Sequence, residues 1–231
     1  MIIMVNSKYQ NINKFNFILI SLLPISFVIG PLIVEIISFF LISTLIYYSF
    51  ENKNFFFKKN KIFLYFIIFY FFLLFSLFFS GYYKETFVNV FFYFRFILFA
   101  IAISFVLNYD TKSLKKLYIV FSLSIFLIIF DGFWQFIFEE NIIGYPKYRE
   151  DRISGFFKDD LVLGSFLSRL LPLHLGFALY FKDNRNLTVF NIILILATVV
   201  LIFLTGERAA FFKTVIFIFI IFFLIDLSLK L

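Results

Sequence analysis

The sequence predicts an all-α, polytopic integral membrane protein with about eight transmembrane helices. Three observations predict this class: 63% of the 231 residues are hydrophobic, only 15% are charged, and 43 are phenylalanine. Soluble domains average about 25% charged residues, and a single core of this chain length could not bury so many aromatic side chains. The composition therefore excludes a soluble globular domain, a disordered chain and a fibrous repeat.

Apolar runs between charged breaks define the predicted helices in chain order. They cover 15–30, 32–50, 61–80, 87–108, 115–138, 161–181, 188–205 and 208–229. Gly30 and Pro31 separate the first two, because this pair ends one helix and makes a tight turn. We expect one transmembrane helical domain over 1–231, with a hydrophilic loop at 139–160.

Basic residues in the loops predict the orientation. Loops on one side of the membrane hold twelve of the 21 Lys and Arg residues: Lys8, Lys14, Lys53, Lys58, Lys59, Lys61, Lys112, Lys115, Lys116, Lys182, Arg185 and Lys230. Because positively charged loops face the cytoplasm, both termini are predicted inside. In a bacterial inner membrane the 139–160 loop is then periplasmic. This topology accounts for the net charge of +7, and no nucleic-acid partner is expected.

Asp226 lies close to the inner end of the last predicted helix, whereas seven ionisable residues lie in the outer halves or at the outer ends of predicted spans. They are Glu35, Arg95, Asp131, Arg169, Glu207, Arg208 and Lys213. Charged groups inside a bilayer are costly and are functional candidates by default, so this one-sided placement favours a polar cavity open to the periplasm. The alternative is a structural ion network of Arg95, Asp131 and Arg169, in which Arg95 and Asp131 pair at matching depth. Lys213 is expected to extend its amine outward to the membrane surface.

His174 is the only histidine and lies near the middle of the predicted helix 161–181. We expect it to be structural and hydrogen-bonded to a neighbouring helix, because no second His or carboxylate lies four residues away to share a metal. The sequence has no cysteine and no phosphate-binding glycine loop, serine nucleophile elbow or zinc motif. We therefore expect neither a metal nor a cofactor.

Two stretches resemble one family. The first is R-I-S-G-F-F at 152–157, followed by D-D-L-V-L-G-S-F-L-S-R-L-L-P at 159–172, and the second is L-T-G-E-R-A-A-F at 204–211. Both are similar to the O-antigen ligase and polymerase family of bacterial inner membranes. The first resembles its R-x-S-G-x-F loop, which leads into a helix with an early glycine. The second resembles its T-G-S-R-[GA]-A signature, with Glu207 where Ser is commoner. Asp131 and Gln135 fit the same pattern more weakly.

This resemblance implies a membrane glycosyltransferase that uses no nucleotide sugar. Such an enzyme moves a glycan from an undecaprenyl-diphosphate carrier to lipid A core or to a growing glycan on the periplasmic face. Arg208 matches the signature arginine and is the expected catalytic residue, because fixed arginines stabilise the charge on a leaving diphosphate. Arg152, Arg169 and Glu207 are expected to bind the substrate.

Members of that family usually continue through further helices and a large periplasmic loop with a second Arg and a catalytic His. We therefore expect 1–231 to be the N-terminal part of such an enzyme, incomplete at its C-terminus, or a naturally shortened relative, and we do not expect these residues alone to catalyse transfer. His174 does not match that histidine.

Two other functions stay open at this point. A polyprenol-linked glycan flippase should carry charge near the membrane midplane and break two helices at related positions. Here His174 is the only ionisable residue at the midplane, and the break at Gly30 and Pro31 has no counterpart. A non-catalytic membrane scaffold would explain a shortened chain but not the clustered outer arginines. The sequence does not distinguish ligase from polymerase, and it identifies neither the glycan nor the acceptor.

Overall fold

The computed structural model describes residues 7–51, 61–79, 81, 83–109, 113–181 and 185–229, and in these ranges the chain is all-helical without a named strand. The predicted all-α class is confirmed there. The α-helices are α1 (Ser7–Ile29), α2 (Pro31–Glu51), α3 (Lys61–Ser76), α4 (Tyr83–Phe91), α5 (Phe94–Tyr109), α6 (Ser113–Phe138), α7 (Leu163–Tyr180), α8 (Arg185–Leu204) and α9 (Arg208–Leu229). Single 3₁₀ turns occur at Leu77–Phe79 and Gly155–Phe157.

Five helical stretches of this described part are long and apolar enough to cross a membrane. They are Asn11–Ile29, Pro31–Glu51, Thr86–Leu107, Leu114–Phe138 and Leu187–Leu204. Large apolar side chains such as Leu32, Phe39 and Phe78 face outward, which suits a lipid bilayer and not water. The count of eight spans and their orientation stay predictions. Six of the basic residues behind that orientation lie outside the described residues: Lys53, Lys58, Lys59, Lys112, Lys182 and Lys230.

The predicted span 87–108 coincides with the apolar helical stretch Thr86–Leu107 but contains a turn. It consists of α4 and α5, which are separated by a tight turn at Phe92 and Tyr93. In an unbroken helix the Arg95 amide would bond to the Phe91 carbonyl. Instead, Arg95 N donates to Phe92 O, and the Tyr70 hydroxyl donates to Phe91 O at 3.0 Å. A tertiary hydrogen bond from α3 thus occupies the carbonyl at the break.

The helices form two compact units, 1–114 and 115–231, and each is described by itself. In the first unit α1 packs against α2 and α5, and α3 packs against α4 and α5. Buried polar side chains join α1 to α2: Asn16 Nδ2 donates to Thr44 Oγ1 at 3.0 Å, and the Tyr48 hydroxyl donates to Asn13 Oδ1 at 3.3 Å. Such bonds between helices satisfy polar groups that lipid would leave unpaired.

In the second unit α7 packs against α8 and α9, and α8 packs against α9. Tyr118 of α6 lies against rings of α7, and its hydroxyl donates to Asn191 Oδ1 of α8. His174 is buried beside Tyr118 and Phe121. The expectation that His174 is hydrogen-bonded is not met within the described residues, because its ring packs among aromatic side chains and neither nitrogen has a partner. The C-terminal ends of α6 and α8 and the N-terminal ends of α7 and α9 carry the candidate site.

Candidate functional site

Gln135, near the end of α6, holds the loop that follows it. Its side chain is fully buried, and its Oε1 accepts hydrogen bonds from the Ser154 amide at 2.9 Å and the Gly155 amide at 2.7 Å. Its Nε2 donates to Tyr145 O at 3.5 Å. One side chain therefore satisfies backbone groups from both arms of the loop, groups that would be costly to bury unpaired.

Asn141 folds the first part of the same loop. Its Oδ1 accepts hydrogen bonds from the amides of Ile143 at 3.1 Å and Tyr145 at 2.8 Å, the pattern of an Asx turn. Its Nδ2 donates to Gly155 O at 3.1 Å. Asn141 is buried, and through these hydrogen bonds it joins the start of the loop to the R-I-S-G-F-F segment. The two backbone segments can therefore move little relative to each other.

The close approach of Asp131 to Gly155 requires glycine at this position of the R-I-S-G-F-F segment. Asp131 is fully buried, and its Oδ1 accepts a hydrogen bond from the Ile142 amide at 3.0 Å. Gly155 has a φ of +56°, and a Cβ there would lie 2.9 Å from Asp131 Oδ2. A side chain at 155 would therefore be strained in its backbone and would clash with the carboxylate.

Glu207, in the turn between α8 and α9, caps α7. Its Oε1 accepts a hydrogen bond from the Gly164 amide at 2.7 Å, and its Oε2 accepts from the Ser165 amide at 3.0 Å and the Ser165 hydroxyl at 2.5 Å. The residue at the N-cap position, Val162, has no side-chain acceptor. The carboxylate therefore supplies the missing acceptor and places negative charge at a helix N-terminus, where the macrodipole favours it.

The early glycine of α7 belongs to this contact. A Cβ on Gly164 would lie 3.0 Å from Glu207 Oε1 and still closer to Thr205 Oγ1. The Thr205 hydroxyl donates to Ile202 O at 2.7 Å and accepts from the Glu207 amide at 3.5 Å, which closes the turn. Gly164 thus lets the T-G-E-R turn approach the start of α7 closely.

Arg152 lies against Gly206. Gly206 has a φ of +69°, and a Cβ there would lie 3.8 Å from Arg152 Cγ, 4.0 Å from Arg152 Nε and 3.4 Å from Asp151 O. Arg208, exposed, is two residues further on at the first position of α9. The two motif segments are therefore in contact, and they bring Arg152 and Arg208 to one end of the second unit.

Within the described part of the chain, no carboxylate lies within ion-pair distance of Arg152, Arg169 or Arg208. Their loop neighbours are paired: Lys147 Nζ lies 2.7 Å from Glu139 Oε1, and Arg149 Nε lies 3.5 Å from Asp151 Oδ1. Arg169 is exposed on α7, one turn beyond Ser165. These guanidinium groups are available for an anion, because no described carboxylate neutralises them.

Arg95 and Asp131 each have a partner of their own. Arg95 Nη2 lies 2.9 Å from Glu35 Oε1, and both side chains are about half exposed. Asp131 accepts the Ile142 amide. The sequence pattern missed the pairing of Arg95 with Glu35, and an ion pair between Arg95 and Asp131 stays a prediction.

Sequence reasoning did not assign Asn141 or Ser165 to the site and named Gln135 only through the resemblance. One signal was present: Asp131 and Gln135 are four residues apart, so they share a face of α6 directly before the loop. Among the residues that the structure describes, no group of three or more His, Asp or Glu side chains is placed to hold a metal. The chain was compared with protein-family models, curated proteins and solved structures, and none matches.

Proposed function

We propose that this protein is a membrane glycosyltransferase of the O-antigen ligase and polymerase type. In this proposal it acts at the periplasmic face of a bacterial inner membrane on a glycan linked to undecaprenyl diphosphate, and the acceptor is lipid A core or a growing glycan. One observation carries the proposal. The segment around Arg152 packs against the turn that leads to Arg208, and neither arginine has a carboxylate partner in the described residues.

The chemistry requires fixed positive charge. In transfer the acceptor hydroxyl oxygen bonds to the anomeric carbon and releases its proton to water. The bond between that carbon and a diphosphate oxygen breaks, and negative charge grows on the leaving diphosphate. A guanidinium can bind two phosphate oxygens in a fixed fork, which a lysine amine cannot do. Arg208 would stabilise this charge, while Arg152 and Arg169 would bind the donor. Activation of the acceptor hydroxyl is not assigned to any of these residues.

In this proposal Glu207 has a structural part, whereas the sequence led us to expect that it binds the substrate. Both of its carboxylate oxygens are engaged by the first turn of α7. We therefore assign it to holding the T-G-E-R turn in place, one residue before Arg208, and not to contact with the donor. The family's commoner Ser at this position has a shorter side chain than Glu.

The test is transfer of glycan from an undecaprenyl-diphosphate-linked donor in membranes that contain the complete polypeptide in which these residues occur. Arg208→Lys should impair transfer, and Arg208→Ala should impair it by roughly 10²–10³-fold, the loss expected when one charge-stabilising donor is removed. The matched control is Arg149→Ala, which removes an exposed loop arginine already paired with Asp151. Abundance in the membrane should stay near normal.

Activity of Arg208→Ala within about twofold of the wild type would refute the catalytic assignment. Movement of the lipid-linked glycan across the membrane without transfer to an acceptor would favour the flippase alternative instead. Neither transfer nor movement, with a folded protein, would favour the scaffold.

A further inference from the structure

The R-I-S-G-F-F segment is held by α6 through its backbone. Gln135 accepts both the Ser154 and the Gly155 amides, and Asn141 donates to the Gly155 carbonyl. Residue 155 therefore has both of its backbone polar groups bound to buried side chains. The Ser154 amide is held by Gln135 as well, and because neighbouring Cα atoms are about 3.8 Å apart, the residue two positions upstream of Ser154 has little freedom relative to this anchor. That residue is Arg152.

Arg152 has no comparable anchor of its own among the described residues. Its amide donates to Arg149 O within the loop turn, and its side chain lies along Gly206 without a carboxylate partner. The position of its guanidinium thus depends on how the backbone of 153–155 is held. Of the side chains around this backbone, Gln135 makes the most hydrogen bonds to it.

Placing a glutamine such as Gln135 at a buried helix position costs free energy of folding. Burying an amide is unfavourable unless it is hydrogen-bonded, and a Leu of similar size would fill the same space without that cost. Gln135 is fully buried and makes all of its hydrogen bonds with loop backbone. Its neighbours on the outward-facing side of α6, such as Phe138 and Ile137, are apolar and exposed.

We infer that Gln135 is a positioning residue, which fixes the 152–155 backbone so that the Arg152 guanidinium faces the turn at Gly206 and binds a diphosphate there together with Arg208. The identity of the anion in this inference rests on the proposed function. The hold of Gln135 on the loop rests on its hydrogen bonds alone. Gln135 itself touches no substrate.

The first experiment tests the hold without any substrate. Hydrogen exchange of the purified full chain should be followed by mass spectrometry in wild type and Gln135→Leu. Peptides that cover Ser154 and Gly155 should exchange about tenfold faster in the variant, because those amides lose their shared acceptor. Ser124→Ala is the matched control: it removes a buried hydroxyl of α6 that donates to Val120 O of its own helix and holds no part of the loop. Unchanged exchange at 154–155 in Gln135→Leu would overturn the inference.

The second experiment measures binding of inorganic pyrophosphate by calorimetry. Gln135→Leu should weaken binding about tenfold, the effect of losing two neutral hydrogen bonds that order the segment. Gln135→Glu should restore most of the affinity, because one carboxylate oxygen can accept both amides. In the background of Arg152→Ala, Gln135→Leu should cause no further loss.

The outcomes distinguish the diphosphate site from the positioning role of Gln135. Failure of the wild type to bind pyrophosphate would refute the diphosphate site, whereas faster exchange at 154–155 in Gln135→Leu would still support the hold of Gln135 on the loop. Normal binding by the wild type and by Gln135→Leu would refute the positioning role alone. Full additivity of Gln135→Leu and Arg152→Ala would also refute it, because the two residues would then act independently.

Discussion

Glu207 and Ser165 are joined by two hydrogen bonds across 42 residues of sequence, from the Ser165 amide at 3.0 Å and from its hydroxyl at 2.5 Å to Glu207 Oε2. Together with the Gly164 bond, they tie the turn before α9 to the start of α7. The carboxylate is therefore a tertiary cap: it comes from a distant turn and serves a helix whose own N-cap position cannot provide one.

Removal of this cap should destabilise the second unit. We expect Glu207→Ala to lower the free energy of unfolding by about 2 kcal/mol, because hydrogen bonds to a charged acceptor and its interaction with the helix dipole are lost together. Glu207→Gln should cost less, since its carbonyl oxygen can still accept one amide. Unfolding in mixed detergent micelles measures the change. Glu150→Ala, on an exposed loop position, is the control, and equal stability of the two alanine variants would contradict the cap.

Two glycines of α7 should respond oppositely to the same substitution. Gly164→Ala should destabilise by about 1–3 kcal/mol, because its Cβ would press on Glu207 and Thr205. Gly176→Ala should be neutral or stabilising by up to about 1 kcal/mol, because no described atom outside its own stretch of helix lies within 4 Å of its Cβ position and alanine is the better helix former. The same unfolding measurement applies to both. Equal effects would show that Gly164 is not required by the close approach.

The ion pair of α2 and α5 should contribute modestly. Glu35 and Arg95 are each about half exposed, so we expect a coupling of about 0.5–1 kcal/mol in a double-mutant cycle of Glu35→Gln and Arg95→Gln. A parallel cycle of Arg95→Gln and Asp131→Asn tests the predicted second pair. Coupling only in the first cycle would refute the pairing of Arg95 with Asp131. Absence of coupling in the first would contradict the contact described here.

The orientation can be tested directly because the chain has no cysteine. In bacterial spheroplasts Tyr148→Cys, at an exposed position in the loop after α6, should react with an impermeant maleimide while the membrane is intact. Lys116→Cys, exposed near the other end of α6, should react only after lysis. The reverse pattern would place the loop and its arginines in the cytoplasm and would remove the basis for a periplasmic site.

Much of the candidate site was visible in the sequence as residue types but not as contacts. Arg152, Gly155, Gly164 and Arg208 stood out because each lies in a segment that resembles a motif of the O-antigen ligase and polymerase family. The role of Glu207 was not predictable from its neighbours in the chain. A carboxylate beside an arginine suggests a local partner, whereas the acceptor is used 42 residues away.

The helical class and most of the helix ends follow from local sequence, because apolar runs, charged breaks and the Gly30–Pro31 turn are properties of neighbouring residues. The break between α4 and α5 and the partners of Arg95, Gln135 and Glu207 depend instead on contacts between distant segments. The physical reason is that a hydrogen bond or ion pair needs two groups within about 3 Å. Which groups come that close depends on which helices and loops pack together, and hydropathy along one chain carries no information about that choice.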